Sequence, residues 1–197
     1  MGKIDANKKQ KREALLNTAF ELFTTQGLNK TTINNIVEAA GVAKGTFYLY
    51  FKDKYDIRNK LIAHKASHIF AIADAALAET GLTDLEDKII FLVDNIIGQF
   101  TEDKSLLTFI SKNLSWGIFK NELTTSSNSE VDFYNIYSVL EHSPRRFQNP
   151  EVLLFMIVEL VSSTCYSSIL YDEPIGIEQL KPYLYTAIRQ IIRGQEE

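Results

Sequence analysis

The spacing of apolar residues is helical along almost the whole chain. Apolar side chains recur three and four residues apart, and glycines and prolines fall between these periodic segments. Strands exposed on one face would instead require alternation of apolar and polar residues, and almost none is present. The pattern therefore predicts an all-α protein with about nine helices.

Turn and cap residues set the expected bounds of these helices. Gly27 and Gly41 stand where cap glycines end a helix, and Thr31 or Thr32 can cap the helix between them. Pro182 suits the first turn of the last helix. The expected helices span 8–26, 33–40, 44–50, 55–79, 85–100, 105–122, 131–141, 152–171 and 182–193.

Composition favours a cytoplasmic protein without a membrane span. The longest apolar stretch, 152–161, is interrupted by Glu159 and is far shorter than the roughly 20 residues that a span requires. The N-terminus is basic, but no apolar segment of a signal peptide follows it. The single cysteine, Cys165, cannot form an intrachain disulfide, which favours a reducing compartment.

Charge is distributed unevenly between the two parts of the chain. Residues 1–65 contain 12 Lys/Arg and 6 Asp/Glu, a net charge of +6, whereas residues 66–197 contain 9 and 19, a net charge of −10. A basic first third on an acidic remainder indicates that only the first third meets a polyanion. Charge alone does not separate a nucleic acid from an acidic protein partner.

Residues 31–54 carry the pattern of a helix-turn-helix. Two short helices, 33–40 and 44–50, are joined by a tight turn at Gly41. Their apolar positions would pack the helices on each other and on the first helix: Ile33, Ile36, Val37, Ala40, Val42 and Phe47. The outer surface of the shorter helix would carry Lys44, Gly45, Thr46, Tyr48, Leu49 and Tyr50. Such a helix can enter a DNA major groove with its N-terminal residues at base edges.

Residues flanking the short helix fit contact with phosphates. Thr31 and Thr32 place hydroxyls and free N–H groups at a helix start, and Lys54 lies at the start of the long helix, where the dipole favours an anion. A basic N-terminal segment can follow the DNA backbone or enter a minor groove: Lys3, Lys8, Lys9, Lys11 and Arg12. The alternative is that this segment only solubilises the chain.

The run TTINNIVEAAGVAKGTFYLYFKDKYDI, with the preceding AFELFTTQGLNKTT, resembles the DNA-binding segment of the tetracycline-repressor (TetR) family over about residues 10–60. The resemblance implies that Lys44, Gly45 and Thr46 face bases or nearby phosphates. It also implies that Thr32 caps its helix against a phosphate. Three residues would hold the DNA backbone: Tyr48, Tyr50 and Lys54. Gly45 departs from members with a side chain there, so more of the base reading would fall to Lys44, Thr46 and Leu49.

Beyond residue 65 the resemblance lies in layout only. Family members continue with helices around a ligand cavity, and their last two helices form a dimeric four-helix bundle. The implied organisation is a helix-turn-helix domain at 1–53 and a helical ligand-binding and dimerisation domain at 54–197. The implied function is a repressor, released from a near-palindromic operator by a small-molecule effector, with no cofactor, metal or membrane contact.

The last two expected helices support a homodimer independently of the resemblance. The segment VLLFMIVELV is apolar on nearly every side, so it needs cover on every side. One clear neighbour is the last helix, which carries Leu184, Ile188, Ile191 and Ile192. A two-fold copy of the pair would complete the cover. The alternative is that other helices of the same chain do so.

Aromatic residues in the middle of the chain suit the wall of a ligand cavity. Four are expected to contact a ligand: Phe109, Trp116, Phe119 and Tyr137. The alternative is that these rings are ordinary core. His64 and His68 have the spacing of a metal pair, but no third ligand is evident, so we predict no metal site.

Two other functions are weighed against a ligand-controlled repressor. An α-helical enzyme is disfavoured because the sequence has no Gly-rich phosphate loop, metal motif or nucleophile–base–acid set. A helix-turn-helix protein controlled by a protein partner, without a small-molecule ligand, stays open. A closed, fully packed C-terminal core would favour that alternative, and an open cavity would favour the repressor with an effector.

Overall fold

The computed structural model describes residues 3–113, 116–117, 139–140 and 143–197. In this part of the chain there are eight helices and no β-strand, so the all-α prediction is confirmed. The helices are α1 (Lys3–Thr25), α2 (Ile33–Ala39), α3 (Lys44–Tyr50), α4 (Lys54–Ala78), α5 (Leu85–Glu102), α6 (Lys104–Asn113), α7 (Pro150–Tyr171) and α8 (Ile177–Gly194). The helix expected at 131–141 lies almost wholly outside the described residues.

Two helices begin five residues earlier than the sequence predicts. Helix α1 starts at Lys3 rather than residue 8, so the basic N-terminal segment is helical. It contains no proline or glycine after its start, and Lys, Gln, Glu and Ala favour helix. Helix α8 starts at Ile177 rather than Pro182, because the Gly176 carbonyl closes the first turn by accepting from the amides of Gln179 and Leu180, both at 3.0 Å. Pro182 then removes only its own N–H from the second turn.

The chain divides into two compact units, Met1–His64 and Lys65–Glu197, and α4 contributes residues to both. In the first unit, α2 packs on α1 and α3 packs on α2. Gly27 and Gly41 follow the ends of α1 and α2, and their φ angles of +86° and +64° favour glycine. The core of this unit consists of fully or nearly fully buried side chains: Leu15, Leu16, Ala19, Ile36, Phe47, Phe51, Ile57 and Leu61.

In the second unit α7 is the central helix. It packs against α5, α6 and α8, and α5 also packs against α8. The buried face of α7 includes Leu153, Ile157 and Val161, and α8 buries Leu184, Ile188 and Ile192. Ile188 is fully buried within a single chain. It therefore belongs to the core of the chain and is not a free interface residue.

A buried carboxylate ties together three segments of the second unit. Glu86, at the start of α5, is 6% exposed and accepts hydrogen bonds from three guanidinium groups. The shortest contacts are 2.8 Å from Arg193, 3.0 Å from Arg145 and 3.2 Å from Arg189. These bonds, led by the one from Arg193, lower the pKa of Glu86 from 4.5 to about 2. The ion cluster thus fastens α8 and the segment before α7 onto α5.

The lowered pKa of Glu86 predicts acid sensitivity of the fold. Because the folded-state pKa lies below the unfolded value, the stabilisation is fully present above pH 4.5 and is lost as the pH falls towards 2. We expect Glu86→Gln to lower the free energy of unfolding at pH 7 by about 2 kcal/mol and to flatten its dependence on acid pH. Urea unfolding between pH 7 and pH 3, with the exposed Glu79→Gln as control, measures both. Equal acid dependence in the two variants would contradict the assignment.

Helices α4 and α7 are long and apolar enough, by length and composition alone, to cross a membrane. The sequence analysis predicted no membrane span because the longest apolar stretch, 152–161, is short and contains Glu159. Both helices also contribute buried residues to the core, among them Leu61 and Ile62 of α4 and Leu153 and Ile157 of α7. Core helices of soluble proteins share this composition, so it does not argue for a membrane protein.

Candidate DNA interface and ligand cavity

Helix α3 is held by one aromatic side chain and presents its opposite face outward. Phe47 is fully buried and packs against Phe51, with 5.5 Å between ring centroids. Phe47 therefore belongs to the core, as its place among the apolar positions of the sequence predicts. On the outer surface, Tyr48 is 53% exposed and Leu49 is 78% exposed. The helix is therefore anchored from one side and free to enter a groove with the other.

Most of the predicted DNA-binding residues reach the surface of the first unit. Five of them are exposed: Thr32, Lys44, Gly45, Tyr48 and Leu49. Three are half-buried: Thr46, Tyr50 and Lys54. The exception is Thr31, which is fully buried. Its hydroxyl donates to the Gly27 carbonyl at 2.9 Å, so Thr31 holds the turn between α1 and α2. The structure thus corrects the prediction that Thr31 contacts DNA.

Thr32 is the residue that caps α2. Its hydroxyl oxygen accepts from the Asn35 amide at 3.1 Å, and its own amide donates to Asn35 Oδ1 at 2.9 Å. This reciprocal capping box satisfies two backbone N–H groups at the helix start. The exposed Thr32 side chain and the remaining amides form the end of α2 that the sequence predicts to face a phosphate.

Two lysines of α4 fix the neighbouring segments of the first unit. Lys54 Nζ donates to the Leu28 carbonyl at 2.8 Å, and Lys60 Nζ donates to the Tyr50 carbonyl at the end of α3 at 3.1 Å. Asp56 accepts from Lys60 Nζ at 3.2 Å and from the Lys52 amide at 2.8 Å, so it ties α4 to the segment that follows α3. An ammonium has three donors, so Lys54 keeps donors for a phosphate. Sequence reasoning missed Lys60 and Asp56, although their spacing of four is a known helix-pairing signal.

The second unit contains an apolar cavity of about 80 Å³. Its walls come from α4, α5, α6 and α7 and from residues 139–140, and Ser162 is the only polar residue among the described ones that line it. The wall residues include Ile69, Phe70, Phe100, Leu140, Leu154 and Val161. These are mainly aliphatic side chains, so the cavity can hold a hydrocarbon group but offers little hydrogen bonding.

A second, more polar cavity of about 390 Å³ adjoins the first, and both are lined by Val158 and Ser162. Trp116 lines this second cavity together with polar residues that include Lys112, Glu159 and Tyr166. The Trp116 indole donates to Glu151 Oε1 at 3.3 Å and packs edge-on against Phe155. Side by side, the two cavities would suit a molecule with an apolar part and a polar part.

The four residues predicted to contact a ligand differ in where they lie in the structure. Trp116 lines the polar cavity, whereas Phe109 is buried in the core and lines neither cavity. Phe119 and Tyr137 lie outside the described residues. The aliphatic wall of α5, which includes Ile89, Leu92, Val93 and Ile96, was missed. Its only sequence signal is helical periodicity, which ordinary core shares.

The other candidate sites have structural explanations. Cys165 is fully buried, and this burial raises the pKa of its thiol to about 11, so it stays protonated and unreactive near neutral pH. His64 lies 3.5 Å from a carboxylate oxygen of Glu13 and so joins α4 to α1. In the described part of the chain no three His, Cys, Asp or Glu side chains are grouped to hold a metal ion.

Comparison with known proteins agrees with the helix-turn-helix geometry. A sequence profile of the bacterial regulatory proteins of the tetR family matches residues 15–61. The chain is 29% identical over 159 residues to the uncharacterized HTH-type transcriptional regulator YvdT of Bacillus subtilis, covering 70% of this chain and 82% of YvdT. It is 37% identical over 62 residues to the HTH-type transcriptional repressor BepR of Brucella suis, covering 32% of this chain and 30% of BepR.

Solved structures share the fold over nearly the whole chain. A putative tetR family regulator from Shewanella sp. PV-4 superposes with a TM-score of 0.68 at 17% identity, covering 95% of this chain and 98% of that one. The regulator FadR from Bacillus subtilis, in complex with stearoyl-CoA, has a TM-score of 0.64 at 16% identity, covering 89% and 96%. At these identities the likeness establishes the fold.

The fold and the exposed face of α3 define a helix-turn-helix regulator of transcription that binds DNA sequence-specifically. Its N-terminal segment, residues 15–61, matches the tetR family of bacterial regulatory proteins, as the sequence predicts. Its relatives are regulators and repressors of transcription. The sequence prediction of a DNA-binding regulator is therefore confirmed.

Proposed function

We propose that this protein is a cytoplasmic, homodimeric repressor that reads a near-palindromic operator with α3 and is released by an amphipathic small molecule. In this proposal residues 1–53 bind DNA and residues 54–197 bind the effector and form the dimer. The observation that carries the DNA-binding part is the anchoring of α3 by Phe47, which leaves the opposite face free. Lys44, Tyr48 and Leu49 lie on the exposed surface of this helix.

The contribution of Lys44 can be measured directly. We expect Lys44→Ala to weaken binding to an operator selected from random duplexes, to change its sequence preference and, where Lys44 also reaches a phosphate, to lower the salt slope by about one unit. Lys54→Ala should weaken binding to all sequences alike. Fluorescence anisotropy at several salt concentrations measures both, with Lys104→Ala, at an exposed position of the second unit, as control. Unaltered operator affinity in both Lys44→Ala and Lys54→Ala would refute the proposed interface.

The dimer is supported by the exposed face of α7. Val152, Phe155 and Met156 are 41%, 37% and 38% exposed, although α7 is the central helix of its unit. Exposed apolar residues that follow one helix face mark a contact surface. A two-fold copy of the chain would cover this face and would present two recognition helices to the two half-sites of an operator.

The effector is supported by the paired cavities. An apolar cavity that adjoins a polar one suits a molecule with a hydrocarbon chain and a polar head, and the fold relative FadR binds stearoyl-CoA. At about 80 Å³ the apolar cavity is smaller than the roughly 300–1,000 Å³ of typical ligand pockets. The effector would therefore enlarge it on binding, and α4 is the helix through which this change would act.

Helix α4 contributes residues both to the wall of the cavity and to the contact at the end of α3. Ala66, Ile69 and Phe70 of α4 line the cavity, whereas Lys60 of the same helix bonds the carbonyl that ends α3. An effector that favours a shifted α4 would alter the spacing of the two recognition helices in the dimer. A coupling of about 1–3 kcal/mol changes operator affinity by roughly 5- to 150-fold.

The small volume of the apolar cavity also favours one alternative. A helix-turn-helix regulator controlled by a protein partner needs no ligand cavity, and an apolar cavity of about 80 Å³ is compatible with a core that binds no effector. Thermal-shift measurements with long-chain fatty acids and their CoA thioesters separate the two functions, because a ligand that binds the folded state raises the melting temperature. Failure of every amphipathic probe to do so would favour the alternative.

A further inference from the structure

Gly45 and Leu49 form the strip of α3 that faces directly away from the core. An α-helix turns about 100° per residue, so residues two before and two after the buried Phe47 both point to the opposite side. No heavy atom lies within 4 Å of a Cβ placed at Gly45. Leu49 is 78% exposed, the most exposed large apolar side chain in the described part of the chain.

Polar side chains flank this strip on both sides. By the same helical geometry, Lys44 and Tyr48 lie on one flank, and Thr46 and Tyr50 lie on the other. These side chains can bond the phosphates that border a major groove. The centre of the helix surface, which would meet the base edges, consists of bare backbone and one apolar side chain.

Only one group in the major groove matches an apolar side chain. The bases present hydrogen-bonding atoms there, and thymine adds its 5-methyl group. A leucine placed against a hydrogen-bonding edge would displace its water without replacing the bonds, which is unfavourable. A leucine placed on a methyl group instead buries apolar surface on both sides.

We propose that Leu49 reads one thymine in each half-site by contact with its 5-methyl group, and that Gly45 lets the backbone of α3 approach the base pairs closely enough for this contact. The proposal rests on the DNA-binding function proposed above and assigns the chemistry of one base contact to one residue. It accounts for the combination of a glycine and an exposed leucine four residues apart on the outermost strip of α3.

Replacing thymine with uracil removes only the 5-methyl group, so it tests the contact directly. With an operator selected from random duplexes, each thymine is replaced in turn, symmetrically in both half-sites. We expect one position where the intact protein loses about fourfold affinity per half-site, or about 15-fold in total, the loss expected for one buried methyl group. Leu49→Ala should bind more weakly than the unaltered protein and should lose no further affinity at that position.

Lys44→Ala is the matched control for this experiment. It removes a polar contact on the same helix, so it should weaken binding yet keep the full loss on uracil substitution. An operator without any uracil-sensitive thymine, or the same sensitivity in Leu49→Ala, would overturn the proposal while leaving the DNA-binding function intact. Failure to select any duplex at all would overturn the DNA-binding function itself, and this proposal with it.

Discussion

Replacement of Ser163 with arginine is expected to separate the dimer and to weaken operator binding by on the order of 100-fold or more, because two linked half-site contacts become two single ones. Ser163 is exposed on α7, two helical turns from Met156 on the same face. In a dimer built on this face, the long charged side chain would be desolvated at the contact between the two copies. Light scattering gives the oligomeric state, and anisotropy gives the operator affinity.

Two further variants make this test decisive. Met156→Glu places a charge on the same face of α7, away from the polar cavity that Ser163 also lines, and should separate the dimer as well. Ala75→Arg places an arginine on an exposed position of α4 and should leave both measurements unchanged. Ile188, which the sequence alone places in the dimer-forming pair, is unsuitable because a charge there would disrupt the core of each chain. Dimers in both α7 variants would show that the interface lies elsewhere.

Filling the apolar cavity is expected to abolish the response to an effector. Val161 of α7 lines the cavity, so Val161→Phe would place a ring where the hydrocarbon part of an effector binds. We expect the effector-induced loss of operator affinity, about 5- to 150-fold in the unaltered protein, to disappear in the variant. Operator affinity without effector should stay the same, because Val161 belongs to the second unit and α3 to the first.

The control for cavity filling is Ile72→Phe. Ile72 lies on α4 close in sequence to the wall residues Ile69 and Phe70, but it is 42% exposed and does not line the cavity. This variant should respond to the effector like the unaltered protein. Thermal unfolding of both variants separates a filled cavity from a damaged core. A full effector response in a well-folded Val161→Phe protein would place the effector outside this cavity.

The helix-turn-helix could be predicted because its signals are local. Gly41, the threonines before α2 and the period of the apolar residues all act within a few residues of the turn. Thr31 and Thr32 show where such reasoning stops. Both are hydroxyl residues at a helix start, yet packing against α1 buries one and leaves the other exposed as the cap. That difference depends on tertiary contacts, which adjacent residue types do not encode.

The cavity could not be predicted for a related reason. Its wall is built from the same aliphatic residues, at the same helical spacing, as the packed core around it. Whether such residues enclose space depends on the distance between helices. Aromatic residues give a more visible pattern, and this pattern selected Phe109, which is core, as well as Trp116, which lines the polar cavity.

The glycine on the outer strip of α3 has a consequence for how this protein could acquire new DNA targets. Because a side chain at Gly45 would meet no atom of its own chain, a substitution there carries no packing penalty, and alanine would favour the helix by about 1 kcal/mol. Most changes of specificity are selected against when they destabilise the fold. At Gly45 a single codon change can alter the operator preference and also stabilise the fold. This position is therefore an accessible starting point for evolutionary divergence among paralogues.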